Sequence, residues 1–291
     1  MTNIDLTSPA QLLELFREHG FRPKKRFGQN FLVDRNVVNK ILDAAEITEG
    51  NAVLEVGPGA GTLTQAAAEM GARIVAVEVD RDMVAILQSV LAGNPNVTII
   101  NADILRLDLP VFLTEHFGEG PVKVLGNLPY YITSPIIAQL LECKSRIESI
   151  VLMTQKEVAD RLKARPGTGD FGSMSVFVQF HTEVQAVAQV SRNVFLPPPD
   201  VSSTIVKLTP RRDPPVEVPS EKLFFDVVHC AFGKRRKTLL NSLSDCPPLG
   251  LTKEQVADAL HNAAVDHSRR AETLSLAEFA GIARAVAALT G

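Results

Sequence analysis

Residues 53–64 read VLEVGPGAGTLT. An apolar run breaks at Gly57, Gly59 and Gly61, then continues as a helix-forming stretch. Glycine lets the backbone turn tightly and approach a ligand, because no Cβ intervenes. The helix that follows presents free N–H groups at its start. Such a strand–turn–helix unit commits a chain to an α/β sheet with a ligand crevice at the carboxyl ends of its strands. The flanking pattern agrees. Strands are predicted at 52–58, 73–80, 97–103, 122–127 and 149–155, and helices at 61–71, 81–93, 134–143 and 156–164. That alternation implies a parallel sheet with right-handed crossovers. Helices over 10–20 and 34–47 precede it. Residues 174–190 begin with helical spacing and become strand-like, and 203–211 reads as an antiparallel return. After the proline-rich 211–219 come helices at 220–232, 235–243, 252–260 and 275–288. The expected organisation is a Rossmann-like α/β domain over 1–212 and a small all-α domain over 213–291.

Composition narrows the function classes. At 291 residues, with 45% hydrophobic and 22% charged side chains, the chain suits a large globular domain plus a smaller one. No apolar run approaches the length of a membrane span. The amino terminus lacks the basic start and apolar centre of a signal peptide, so a cytoplasmic location is expected. Cys143, Cys230 and Cys246 are far apart, which suits a reducing compartment and predicts neither a disulfide framework nor a metal centre. A net charge of −3 argues against nucleic acid, yet the charge is uneven. Arg22, Lys24, Lys25 and Arg26 cluster without an acid, as do Lys234, Arg235, Arg236 and Lys237. Each cluster is either a solvated face or part of a phosphate-binding one.

The acids around the glycine loop select the ligand. Glu78 ends the second strand, where a carboxylate can take both hydroxyls of a ribose. The spacing is G-x-G-x-G rather than the G-x-G-x-x-G of nicotinamide enzymes, and Glu55 stands two residues before the first glycine. A pyrophosphate is disfavoured beside that acid, whereas a cofactor with a cationic amino-acid end is favoured. The pattern points to S-adenosylmethionine. Asp103 ends the third strand and reads equally as an adenine acceptor or as a cap for the next turn.

The fourth strand ends in GNLPYY, residues 126–131, which holds the chain's two tyrosines. Methyl transfer to an aromatic amine needs acceptors for its two N–H groups, because the lone pair is otherwise delocalised into the ring. The Asn127 oxygen and the Leu128 carbonyl fit that need, Pro129 fixes the turn, and Tyr130 offers a stacking face.

These residues, with KKRFGQNFL, EVGPGAGTLT, VEVD, NADIL and NVFLPPPDVSSTIVKL, resemble the ribosomal RNA adenine dimethyltransferases from about Lys24 to the carboxyl terminus. The resemblance implies a Rossmann-like S-adenosylmethionine-dependent methyltransferase sheet. It implies cofactor contacts at Asn30, Leu32, Gly57, Gly59, Glu78, Asp103 and Asn127. It implies the catalytic tetrad Asn127, Leu128, Pro129 and Tyr130, with Phe195 closing on the target base. The carboxyl-terminal third is similar to the branch that dimethylates two adjacent adenosines near the 3′ end of 16S rRNA in the small (30S) ribosomal subunit or its precursor. A monomer that grips RNA through the helical domain is expected. Rival expectations are the 23S rRNA adenine methyltransferases, a DNA adenine methyltransferase, a non-catalytic assembly factor and, weakest, a nicotinamide oxidoreductase. Residues 1–20 lie outside the resemblance and carry no expected role.

Overall fold

The structure is a computed structural model and describes residues 4–24, 28–128, 132–234 and 236–290. Contacts divide the chain into two units, 1–159 with 183–210 and 160–182 with 211–291.

In the first unit the strands are β1 (Phe31–Leu32), β2 (Ala52–Val56), β3 (Arg73–Glu78), β4 (Val97–Asn101), β5 (Val122–Asn127), β6 (Ile147–Gln155), β7 (Thr182–Val190), β8 (Phe195–Leu196) and β9 (Ser203–Pro210). Among the described residues, seven of them form one sheet in the order β4-β3-β2-β5-β6-β9-β7. Pairing is parallel from β4 through β6 and antiparallel between β6 and β9. Strands β2 and β5 are buried along almost their whole length, as parallel strands are when both faces are covered. Helices α1 (Pro9–Glu18), α2 (Arg35–Ala44), α3 (Thr62–Glu69), α4 (Arg81–Val90), α5 (Leu109–Phe117) and α6 (Thr133–Glu142) belong to this unit. Their starts are set by short acids. Asp34, Asp80 and Asp108 each accept a hydrogen bond from the first turn that follows.

Two features were not expected. Helix α5 fills the crossover between β4 and β5. Helix α1 does not stand apart from the sheet. Its buried Leu12, Leu15 and Phe16 form one cluster with Phe21, Phe31, Ala60, Met83 and Ile86, directly under the glycine loop. The Phe16 ring centroid lies 5.0 Å from Phe21 and 4.8 Å from Phe31.

The second unit holds α8 (Ser173–His181), α9 (Glu221–Phe232), α10 (Leu239–Ser244), α11 (Lys253–Asn262) and α12 (Leu276–Thr290), while α7 (Lys156–Leu162) straddles the division. Its core gathers Val176 and Phe180 of α8 with Phe224, Val227 and Val228 of α9 and Phe279, Ile282 and Ala283 of α12. The observed division therefore differs from halves at 1–212 and 213–291: residues 160–182 pack with the helical unit. The reason is local, since Phe180 stacks on Phe224 at 4.8 Å and Ser175 donates to the Arg161 carbonyl at 2.6 Å. The cysteine expectation also needs correction. Cys230 and Cys246 form a disulfide with Cα atoms 5.5 Å apart, and Cys143 is buried and free. α9 and the turn beyond α10 bring together two residues that are 16 apart in sequence.

Candidate active site: a cleft at the carboxyl ends of the parallel strands

Asn30, Leu32, Gly57, Gly59, Glu78, Asp103 and Asn127 line one cleft, although they come from five separate segments. The sheet order explains the convergence. β3, β2 and β5 are adjacent and parallel, so the loops after them open on the same side.

The glycine loop forms the floor. Gly57 has φ +67° and Gly59 has φ +57°, in the left-handed region that costs other residues strain. A Cβ on Gly59 would lie 3.3 Å from the Phe31 ring, so the close approach of loop and aromatic depends on its absence. Gly61, which precedes α3, has no side chain to cap that helix, so the first-turn amides have no side-chain cap.

Two buried carboxylates line the walls. Glu55 is 2% exposed and Glu78 is 6% exposed. Burial pushes the Glu55 carboxyl up to about 7; the Thr64 hydroxyl opposes the shift, and the neighbouring Glu78 charge adds to it. Burial likewise pushes Glu78 up to about 6, against backbone hydrogen bonds that favour its ionised form. Those bonds run from Asp80 N–H at 2.9 Å to one oxygen and from Gly59 N–H at 3.3 Å to the other. Asn101 donates to the Glu78 carbonyl at 2.8 Å, so β4 braces the same corner. The donor set suits S-adenosylmethionine. Glu55 and Glu78 both line the cleft, where a cationic ligand favours their ionised forms. Asp103 shows one of its expected readings, the cap, and its place in the cleft leaves room for the other. It caps the short turn Ile104–Arg106 by accepting from Leu105 N–H at 3.1 Å, and it lines the cleft. Val79, an exposed apolar side chain, and Ile104 add an apolar wall that the sequence reading missed. Nothing in a single sequence distinguishes such an apolar wall from core.

The Asn127 amide closes the site. Its Nδ2 donates to the Asn30 carbonyl at 3.1 Å. That bond orients the amide and leaves Oδ1 as the free acceptor. Leu128 N–H donates to the Met153 carbonyl at 3.2 Å, holding the strand end against β6. Pro129 and Tyr130 lie outside the described residues. Phe195 was expected to close on the target base, not to line the cofactor cleft. It is 4% exposed, pairs across from Leu32 in the β1–β8 ladder, and packs among Leu32, Leu125 and Met153 rather than lining the cleft. The two-residue antiparallel ladder turns its ring inward, so Phe195 supports the segment that carries Asn30.

The basic clusters divide. Lys24 does not face phosphate: its ammonium lies 2.7 Å from Asp80 and 2.6 Å from Asp82. Lys25, Arg26 and Arg235 lie outside the described residues. Lys234, Arg236 and Lys237 are exposed, and Lys234 pairs with Asp245 at 2.8 Å.

Residues 20–287 match the family described as ribosomal RNA adenine dimethylase. The chain is 45% identical over 284 residues to the ribosomal RNA small subunit methyltransferase A of Geobacillus thermodenitrificans, covering 97% of each chain. It is 44% identical over 283 residues to the protein of that name from Alkaliphilus metalliredigens, covering 97% of this chain and 98% of the relative. A dimethyladenosine transferase from Plasmodium falciparum shares its fold with TM-score 0.72 and 24% identity, over 86% of this chain and 95% of that one. The 23S rRNA methyltransferase ErmE superposes with TM-score 0.66 and 28% identity, over 89% of this chain and 100% of that one. With an α/β sheet, a glycine-floored cleft and an asparagine at its mouth, matched over nearly its full length, the chain belongs to the ribosomal RNA adenine dimethylase family.

Proposed function

We propose that this protein dimethylates N6 of two adjacent adenosines near the 3′ end of 16S rRNA, in the small ribosomal subunit or its precursor, and acts as a monomer. S-adenosylmethionine, when bound, supplies an electrophilic methyl carbon. Asn30, Leu32, Gly57, Gly59, Glu78 and Asp103 hold it in the cleft, with Glu78 accepting from the ribose hydroxyls.

The observation that carries the reading is the amide of Asn127, whose nitrogen is engaged by the Asn30 carbonyl at 3.1 Å. Its oxygen is left to accept an N–H of the adenine amine, and the Leu128 carbonyl accepts the other. Withdrawing both hydrogens from the ring plane restores lone-pair character at the nitrogen. Pro129 and Tyr130 complete the tetrad, the first by fixing the turn and the second by stacking on an extruded base. Rate enhancement then comes from positioning and fixed dipoles, and the methylated nitrogen loses its proton to water. The exposed Lys234, Arg236 and Lys237 of the helical unit bear on RNA phosphate.

The test is transfer of labelled methyl to immature small subunits, large subunits and naked 16S rRNA, with Asn127→Ala as control. Dimethyladenosine on small subunits alone is expected. Transfer to large subunits instead would move the protein to the 23S branch. Charge reversal at Lys234, Arg236 and Lys237 is expected to weaken subunit binding and to flatten its dependence on salt.

A further inference from the structure

The cleft is assembled from chain segments about fifty residues apart, and one buried carboxylate joins them. Asp80 is 3% exposed. Its Oδ1 accepts from Lys24 Nζ at 2.7 Å, and its Oδ2 accepts from Gln29 Nε2 at 2.9 Å. The Lys24 main-chain N–H in turn donates to Gln29 Oε1 at 2.7 Å. On its other side, Asp80 donates its own N–H to Glu78 at 2.9 Å. Gln29 is followed directly by Asn30, whose carbonyl holds the Asn127 amide. One set of hydrogen bonds thus links Lys24, Asp80, Glu78 and Gly59, and another starts from the same Asp80 through Gln29.

Asp80 also caps α4, accepting from Asp82 N–H at 3.2 Å. Capping alone does not call for a charge, since asparagine or serine serves as well. A buried charge without a partner is costly, and here the partners come from a different segment. Burial raises the Asp80 carboxyl, but the hydrogen bonds from Lys24 and Gln29 outweigh it and hold the group below its ordinary value.

We propose that Asp80, with Lys24 and Gln29, is a positioning device for the cofactor: it clamps the segment carrying Asn30 and Leu32 to the strand end carrying Glu78. The inference rests on the reading of the cleft as an S-adenosylmethionine site. Gln29 itself lines the cleft, whereas Lys24 and Asp80 stand behind it.

The test is a double-mutant cycle on S-adenosylhomocysteine binding, measured by calorimetry on full-length wild type, Lys24→Met, Asp80→Asn and the double variant. Asparagine at 80 keeps the cap, and Lys24 is only partly buried, so Lys24→Met keeps the cycle readable. Melting temperature and amide exchange over residues 28–34 are recorded alongside. Each single variant is expected to weaken binding about 10-fold, the double no more than the worse single, with faster exchange at 28–34 in all three. A lower melting temperature with wild-type affinity would reduce the cluster to a structural prop and overturn the proposal, as would additive losses. Failure of the wild type to bind S-adenosylhomocysteine would instead overturn the cofactor reading, and this inference with it.

Discussion

The side-chain nitrogen of Asn127 donates to the main-chain carbonyl of Asn30 at 3.1 Å, so the residue at the end of β5 is oriented by the segment that also lines the cofactor cleft. In the proposed reaction, substrate chemistry and cofactor placement share one hydrogen bond. Asn127→Ala removes both the acceptor and the orienting donor. Loss of one such fixed dipole costs about 10²–10³-fold in kcat. Asn127→Asp keeps an oxygen but sets a carboxylate against the Asn30 carbonyl. Kinetics on small subunits should show both variants slow, and calorimetry should show weaker S-adenosylhomocysteine binding for the aspartate.

The two buried acids predict a pH signature. The folded protein holds Glu55 at about 7 and Glu78 at about 6, above the ordinary 4.5, mainly through burial. A raised carboxyl pKa stabilises the ligand-free fold below the unfolded value, and that stabilisation is lost as pH rises through 6 to 7. A cationic ligand favours the ionised acids, so its binding should release protons and strengthen over the same window. Calorimetry in buffers of different ionisation enthalpy measures the release, and Glu55→Gln should reduce it. Identical heats in all buffers would refute the assignment.

Gly126 fixes the position of Asn127 by having no side chain. A Cβ there would lie 3.0 Å from the Val56 carbonyl oxygen and from Leu128 Cδ2, and 3.2 Å from Leu152 Cδ2. Gly126→Ala is therefore expected to cost about 1–3 kcal/mol, as overpacking does. Because the crowded neighbours flank the tetrad, activity should fall further than the loss of folded protein explains. Denaturant melts and specific activity of the folded fraction separate the two effects.

The Cys230–Cys246 disulfide closes a loop that contains the basic cluster 234–237. Closing a loop of that length stabilises a fold by about 3 kcal/mol in the chain-entropy account. Cys246→Ser, or reduction, should lower the denaturation midpoint of the helical unit and raise amide exchange in residues 231–245. Free-thiol titration of the purified protein reports which redox form is present.

Much of the sheet was legible because its signals are local. β5 was read at its observed bounds of 122–127, and the change from helix to strand within 174–190 falls at the observed His181–Thr182 junction. Seven expected cofactor residues share one cleft because each follows a parallel strand or faces its loop. Helix α5 was missed although Asp108 and Pro110 mark its start. Its nine residues are largely apolar and carry too weak a 3.6-residue rhythm to stand out. Lys24 was misread because charge clustering in sequence does not reveal a partner 56 residues away. The strand that buries Phe195 was not legible because it is two residues long and pairs with a segment 163 positions earlier, Leu32 opposite Phe195. The placement of residues 160–182 with the helical unit depends on ring stacking with α9, which no local pattern encodes.

Helix α1 is synthesised before the elements that cover it. Its apolar face meets Phe31, then Ala60, and finally Met83 and Ile86. A nascent chain must extend past α4 before Leu12, Leu15 and Phe16 can be covered. Until then α1 carries an unsheltered greasy stripe, which is the kind of surface that nascent-chain chaperones hold. The floor of the cofactor cleft therefore sets only after α4 has been translated.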